Sequence, residues 1–316
     1  MKNFVSSILK VSSVLFLSLL AACNTSKPVE PCEVHSFGRW HRTETEHFRK
    51  CKRCGYEERS LHDNGEELVC RTCADFKVLA LGYLEGGDPA HSDFFKEANE
   101  WFPLQAKENG FIYDYSTDFG KLNDDDLAEY DVVMFMNNYP GNKAQQEAFQ
   151  RYMENGGCWM GWHVSAFTTE ATSWNWYFNE FLGSGNFKSN TRNPTPEILK
   201  VETHDHFATA NLPQQIHSSH NEWYSWSNDL RANKDITVLL SLDPSTFPVG
   251  DRVGEIWQTY VDVPVAWANN NYNMIYMNMG HNLMDYNDFE KESRTFSSEE
   301  ENEFILESLI GLVDYR

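Results

Sequence analysis

The chain has 316 residues, with 26 Lys+Arg against 47 Asp+Glu, a formal charge of −21, and 41% hydrophobic and 14% aromatic residues. That length accommodates one large domain and a small module, with enough apolar material for a core. The acidic balance excludes a nucleic-acid phosphate binder, which needs a basic face, and the aromatic content excludes wholesale disorder.

Residues 1–22 read as an export signal. Lys2 and Lys10 lead into a short apolar run, Val14–Leu20, closed by Ala21-Ala22-Cys23. A basic start, a short apolar stretch and small residues before a cut site make a secretory leader. The run falls short of the about 20 apolar residues a membrane span needs. Leu20-Ala21-Ala22-Cys23 resembles the lipobox of bacterial lipoproteins. The resemblance implies acylation at Cys23 and a protein held in the cell envelope, on the outer membrane or periplasmic face, by its lipid. Each buried methylene of that lipid adds about 0.8 kcal/mol. Residues 23–31, polar and bearing proline, then serve as a lipidated tether.

Residues 32–74 form a Cys-rich module. Cys51-x2-Cys54 and Cys70-x2-Cys73 can each pinch one side of a tetrahedral zinc ion, and Gly55 suits the sharp turn after the first pair. Few large aliphatic residues lie here, so the module needs a staple to fold. Two disulfides are the alternative in an oxidising compartment, but two closely spaced pairs favour zinc on Cys51, Cys54, Cys70 and Cys73. Cys32, His35, His41, His47 and His62 admit a mixed Cys/His shell or a second site. The stretch resembles zinc-ribbon-like repeats of exported bacterial proteins, which implies a structural spacer or docking role.

From residue 75 to 316, apolar runs alternate with helical stretches. Strands are predicted at 77–83, 111–115, 131–137 and 158–163, with helices at 91–109, 123–128 and 143–155 between them. Short, wholly apolar strands linked by helices make a doubly wound α/β domain around a mostly parallel sheet. Further strands are expected at 198–201, 238–242, 263–268 and 274–279, and a capped helix from Ser298 to about 312. In such sheets ligands bind beyond the carboxyl ends of the strands. That rule selects Asp88 and His91, then Asn137 to Tyr139, then His163 and Ser165, then His281 and Asn282. An isolated histidine is more often a core or surface residue than a ligand, but three after three separate strand ends point to a shared site.

The span from about Lys77 to Tyr315 resembles the ThuA-like (trehalose-utilisation) family. The resemblance is carried by Leu122–Asp131, by Gly156-Gly-Cys-Trp-Met-Gly-Trp-His-Val-Ser-Ala166, by Trp174–Tyr177 and Phe181–Gly183, by His204–Pro213, by Asn221-Glu-Trp-Tyr224 and by Met279-Gly-His281. It departs from the family at His206-Phe207, where His-Pro is usual, and at Asn221, where Asp is usual. The resemblance implies a fold similar to class I glutamine amidotransferases. In those enzymes a cysteine nucleophile sits on the strand-to-helix elbow; here the elbow residue is His163, so glutamine hydrolysis is not expected. Cys158, at the start of that strand, reads as a core thiol, and Ser165 two residues from His163 makes a weak nucleophile pair.

The chemistry left is that of histidine and carboxylate. His91, His163, His281 and Glu222 can hold a divalent metal in the main domain, or, without one, His163 acts as general base and Glu222 as the acid in proton transfer at a sugar carbon. Glu222 can also simply cap a turn. Asp88, Tyr139, Trp162, Trp223, Tyr224 and Asn282 are the expected substrate contacts, with Trp162, Trp174, Trp176, Trp223 and Tyr224 offering stacking faces for a pyranose ring. The expectation is an enzyme acting on a carbohydrate or oxidised sugar derivative. A non-catalytic glycan-binding lipoprotein and an envelope scaffold docking through its Cys module are the alternatives.

Overall fold

A computed structural model describes residues 34–38, 40–62, 69–191, 193–243, 245 and 262–315. The predicted leader, Cys23, the tether and Cys32 lie outside these residues. The chain divides into two compact units, one up to Leu61 and one from His62, so Cys51 and Cys54 belong to the first and Cys70 and Cys73 to the second. No helix among the described residues is long and apolar enough to cross a membrane.

The first unit is a three-stranded antiparallel sheet of β1 (His41–Arg42), β2 (Glu46–Lys50) and β3 (Glu57–Leu61). Charged side chains dominate its faces. Arg49 pairs with Glu58 and lies over the Phe37 and Trp40 rings, while Arg59 bridges Glu46 and Glu57. Exposed pairs of this kind contribute little each. Among its described residues only His47 and Cys51 are fully buried, so an apolar core is missing.

The second unit is built on a nine-stranded sheet. Its parallel part comprises β4 (Lys77–Leu81), β5 (Ile112–Ser116), β6 (Val132–Met136), β7 (Cys158–Trp162) and β14 (Asn273–Met277), side by side in the order β5-β4-β6-β7-β14. Three helices make the crossovers: α1 (Pro89–Asn109), α2 (Asp124–Leu127) and α3 (Lys143–Glu154). Beyond β14 the sheet continues with β13 (Pro264–Asn269), β12 (Ile236–Leu242), β9 (Ile198–Val201) and β10 (Gln215–His217), all antiparallel to their neighbours. The turn from β13 to β14 is too short for a crossover, so these two strands can only pair as a hairpin. A separate two-stranded ribbon joins β8 (Phe187–Asn190) to β11 (Tyr224–Trp226).

Side-chain alternation divides the core into two layers. Val78, Ala80, Val132, Met134, Met160 and Ile275 face one side, with α1 and the last helix, α4 (Glu299–Asp314). Leu79, Leu81, Val133, Phe135, Trp159 and Tyr276 face the other, against α3 and the aromatic segment 171–182. Helix starts are capped, at Asn123 and Ser298 as expected and at Asp88 and Asn142 in addition. Asp88, Asn123, Asn142 and Ser298 each accept a backbone N–H of the first turn, and Gly110 ends α1 in the left-handed region at φ 78°. Phe207, where the family has proline, packs over Gly311 of α4 and stacks on Tyr315.

Glu301, in the first turn of α4, is wholly buried and accepts from Ser219 N (2.6 Å), Ser219 Oγ (3.0 Å) and Asn221 Nδ2 (3.3 Å). Burial outweighs these donors and pushes its carboxyl up to about 7. The folded state therefore binds a proton that the unfolded chain has released above its ordinary carboxyl range. This contribution to stability is full in acid and is lost as pH rises towards 7. Glu301→Gln is expected to remove that part of the pH dependence, on the order of 2–3 kcal/mol between pH 4.5 and 7.5. Urea unfolding of both chains across this range checks it, and parallel profiles would refute it.

Candidate functional site

Three adjacent parallel strands end at one level. Trp162 of β7 is in register with Met136 of β6 and with Met277 of β14, so the next residues, Asn137, His163 and Asn278, form a row at the carboxyl edge. Two of them leave their strands in the left-handed region, Asn137 at φ 56° and His163 at φ 43°. Non-glycine residues adopt that conformation rarely, and it is common where a side chain must be presented sharply. His163 opens a tight helical turn over His163–Ala166, and Tyr276 Oη donates to its carbonyl at 2.8 Å.

His281 follows β14 by four residues. Gly280 before it has φ 125°, and a Cβ there would press on the Phe94 ring at 3.3 Å, so only glycine fits this bend. The bend is clamped on both sides: Gly280 N donates to Asn221 Oδ1 (2.9 Å), and Asn137 Nδ2 donates to Gly280 O (2.6 Å). Asn221 is thus a fully buried positioning residue. His91 projects from the first turn of α1. Its ring centroid lies 4.8 Å from that of His281 and 5.2 Å from that of His163.

Glu222 completes the group. Its Oε2 faces His163 Nε2 at 3.5 Å and His281 Nε2 at 3.8 Å, and its Oε1 accepts from Asn190 Nδ2. One donor atom from each of His91, His163, Glu222 and His281 lies within 4.8 Å of the others. The structure therefore brings together the four residues expected to carry the chemistry. Burial, followed by repulsion from His163 and His281, holds His91 down to about 2. Burial also holds His163 well below the ordinary imidazole range, while it raises the Glu222 carboxyl. His91 and His163 are therefore neutral, each with a buried Nε2 that has no hydrogen-bond partner.

Asn278 determines the tautomer of His163. Its Oδ1 accepts from Tyr224 N (2.6 Å), which orients the amide, and its Nδ2 points at His163 Nδ1 (2.7 Å) and Glu222 O (3.2 Å). An amide nitrogen only donates, so His163 Nδ1 accepts and the ring proton sits on Nε2, facing Glu222. His281 has the opposite arrangement. Its Nδ1 donates to Asn282 O (3.1 Å), which leaves a lone pair on Nε2. The lone pairs offered to a cation are those of His91, His281 and Glu222, and two imidazoles with one carboxylate are a set that divalent transition metals accept.

The expected substrate contacts fare differently. Trp162 and Trp223 are fully buried, Trp162 against Phe94 and Phe102, and Trp223 with Nε1 bonded to Thr195 O at 3.0 Å. Neither can stack on a ligand, because both faces are covered by core. Trp174 is buried against Tyr177, and half-buried Trp176 bonds Tyr272 Oη. Asn282 is also buried. It donates to Asp93 and Glu97 and accepts from Thr295, joining α1 to the loop before α4. Asp88 caps α1 and accepts from Tyr286 Oη at 3.0 Å. Tyr139 packs on Phe178 and Tyr177 in the second core layer. Tyr224 lies against the His163 ring, centroids 4.1 Å apart. The aromatic left open beside Asp88 is Tyr286, half-exposed, which the sequence reading passed over along with Asn190 and Asn278. Cys158 is buried with its thiol on Leu312 O (3.1 Å), as a core thiol.

The ThuA family model, described as trehalose utilisation, matches residues 83–294, more than half of the chain. The chain belongs to the ThuA-like family. Among solved structures, a ThuA-like protein from Bacteroides uniformis is 36% identical with a TM-score of 0.66, covering 76% of this chain and 92% of its own. A ThuA-like protein from Parabacteroides merdae, 14% identical with a TM-score of 0.50 over 76% of this chain and 90% of its own, shares the fold alone. No curated protein matches the chain. In the ThuA-like domain His163 stands at the strand-to-helix elbow, and Ser165, fully buried with Oγ unbonded, is closed to substrate.

Cysteines and histidines also gather towards the N-terminus, in groups that could hold a metal. His35, Cys51 and Cys54 form one, and His62, Cys70 and Cys73 fall in another.

Proposed function

We propose that this ThuA-like protein is an exported, lipid-anchored enzyme of the bacterial cell envelope that acts on a carbohydrate or an oxidised sugar derivative in saccharide catabolism. The observation that carries the reading is the site itself: three clustered imidazoles and a carboxyl group raised by burial, gathered at the carboxyl edge of the parallel strands, with the buried Nε2 atoms of His91 and His163 lacking a partner. Such orphaned nitrogens are costly unless a guest satisfies them. The family's description supports a sugar ligand, and the lipobox around Cys23 supports the anchor. A structural zinc in the Cys-rich module belongs to the same reading.

A divalent cation fits His91, His281 and Glu222, and when bound it would polarise a sugar oxygen or activate water. The other roles fall to this chain. His163, neutral with its proton on Nε2 and fixed by Asn278, donates a hydrogen bond towards the substrate. Glu222, with its carboxyl raised by burial, accepts a proton, and half-exposed Tyr286 donates to Asp88. In a metal-free version the expected roles are reversed, because the ring proton on Nε2 leaves Glu222 as the base and His163 as a hydrogen-bond donor. Plain glycan binding loses its support, because it relied on Trp162 and Trp223 as stacking faces.

The test incubates the chain with a panel of sugars and their keto derivatives, with and without added divalent metal, and follows product by chromatography. Turnover that disappears in His281→Ala supports the reading; no turnover of any saccharide, or turnover indifferent to His281, overturns it. Cation content separates the two versions. His281→Ala is expected to lose the cation held at this site and His163→Gln to keep it, while equal content in both variants and the unchanged chain leaves the metal-free version.

A further inference from the structure

We infer that the Cys-rich stretch holds two ions of the zinc class, one on His35, Cys51 and Cys54 and one on His62, Cys70 and Cys73, rather than a single ion shared by four thiolates. The inference rests on the zinc reading above and changes its ligands and stoichiometry.

Geometry is the first support. A tetrahedral ion with Zn–S of about 2.3 Å and Zn–N of about 2.0–2.1 Å holds its sulfur and nitrogen ligands roughly 3.5 Å apart. Cys54 Sγ lies 3.3 Å from His35 Nδ1, and Cys73 Sγ lies 3.6 Å from His62 Nδ1. Within each group the donor atoms all lie within 4.8 Å of one another. Each C-x2-C pair thus has an imidazole of its own at ligand spacing, and a four-thiolate site would have no use for either.

Local backbone structure is the second. The N–H groups of Arg53 and Cys54 point back at the Cys51 sulfur. Gly55 N donates to Cys51 O at 2.9 Å, and Gly55 itself sits at φ 71°. This tight turn delivers both sulfurs of the pair to one point. After Cys70 the chain turns similarly, with Cys73 N and Ala74 N donating to Cys70 O at 3.2 and 3.0 Å. The third support is the scarcity of apolar burial among the described residues of the first unit. Its fully buried described side chains are His47 and Cys51, so metal binding has to supply the folding free energy that a core supplies elsewhere. The group of His35, Cys51 and Cys54 shows three protein donors, and a further side chain or water completes four.

The experiment measures zinc per chain in the full-length protein and in His35→Ala, His62→Ala and the double variant. Two sites predict that each single variant loses about one equivalent and the double about two. No loss on changing either histidine, with zinc still lost in Cys54→Ser, leaves one thiolate-bound ion and overturns the inference alone. No loss in Cys54→Ser or Cys73→Ser overturns the zinc reading as well. Should a single variant unfold and shed all its zinc, cobalt titration of the unchanged chain decides. Two cobalt ions per chain in the thiolate charge-transfer band, each carrying two thiolates, support the inference, and one ion carrying four overturns it. A cation on His91, His281 and Glu222 has no thiolate and does not enter that band.

Discussion

Replacing Glu222 by Gln is expected to lower kcat/KM on a saccharide substrate by at least about 100-fold, with thermal stability nearly unchanged. A positioned acid or base contributes on the order of 10²–10⁴ to a proton-transfer step. The Glu222 carboxyl has the position for that role, 3.5 Å from His163 Nε2 and 3.8 Å from His281 Nε2. Gln keeps the shape and can still accept from Asn190, but it neither takes up a proton nor offers a cation a negative charge. Were Glu222 only a turn cap, the substitution would spare turnover and show its cost in the melting temperature instead. Steady-state kinetics beside a thermal melt distinguishes the two. Turnover within about tenfold of the unchanged chain would remove Glu222 from the chemistry.

Trp162→Ala is expected to cost about 3–5 kcal/mol of folding stability, and Trp223→Ala a similar amount. Both rings are completely enclosed: Trp162 packs against Phe94, Phe102 and Phe296, and Trp223 carries a hydrogen bond to Thr195 O. Truncation leaves a cavity and, at Trp223, an unpaired carbonyl. Chemical denaturation reads the cost directly. Saccharide binding by the fraction that stays folded should be close to that of the unchanged chain. Loss of binding at full stability would return these tryptophans to the ligand. Tyr286, half-exposed beside Asp88, is the aromatic whose removal should weaken binding without a comparable cost in stability.

Much of the second unit could be read from local pattern. The strands at 77–81, 132–136 and 158–162 are apolar throughout, as strands buried on both faces must be, and the capping residues Asp88, Asn123, Asn142 and Ser298 mark the helix starts. His91, His163 and His281 could be grouped before any coordinates, because residues following parallel strands share one edge of the sheet. The same rule failed for Trp162. It stands one residue before the elbow, and a shift of one position moves a side chain from the open edge into a closed face. The antiparallel course of β9, β10, β12 and β13 was also hidden, since apolar runs carry no direction.

Sequence alone determined the family, the α/β alternation, the helix caps at Asn123 and Ser298 and the identity of the clustered histidines and carboxylate, all of which depend on residue type and near neighbours. Tertiary structure alone decided the protonation of His163. That depends on Asn278, 115 positions away in the chain, whose amide is oriented by Tyr224 N and meets the ring at 2.7 Å. It likewise decided which tryptophans are core, and that each C-x2-C pair keeps a histidine of its own. A hydrogen-bond direction or a buried face is set by whatever lies opposite in space, and the strand register that brings Asn137, His163 and Asn278 to one level is long-range in sequence.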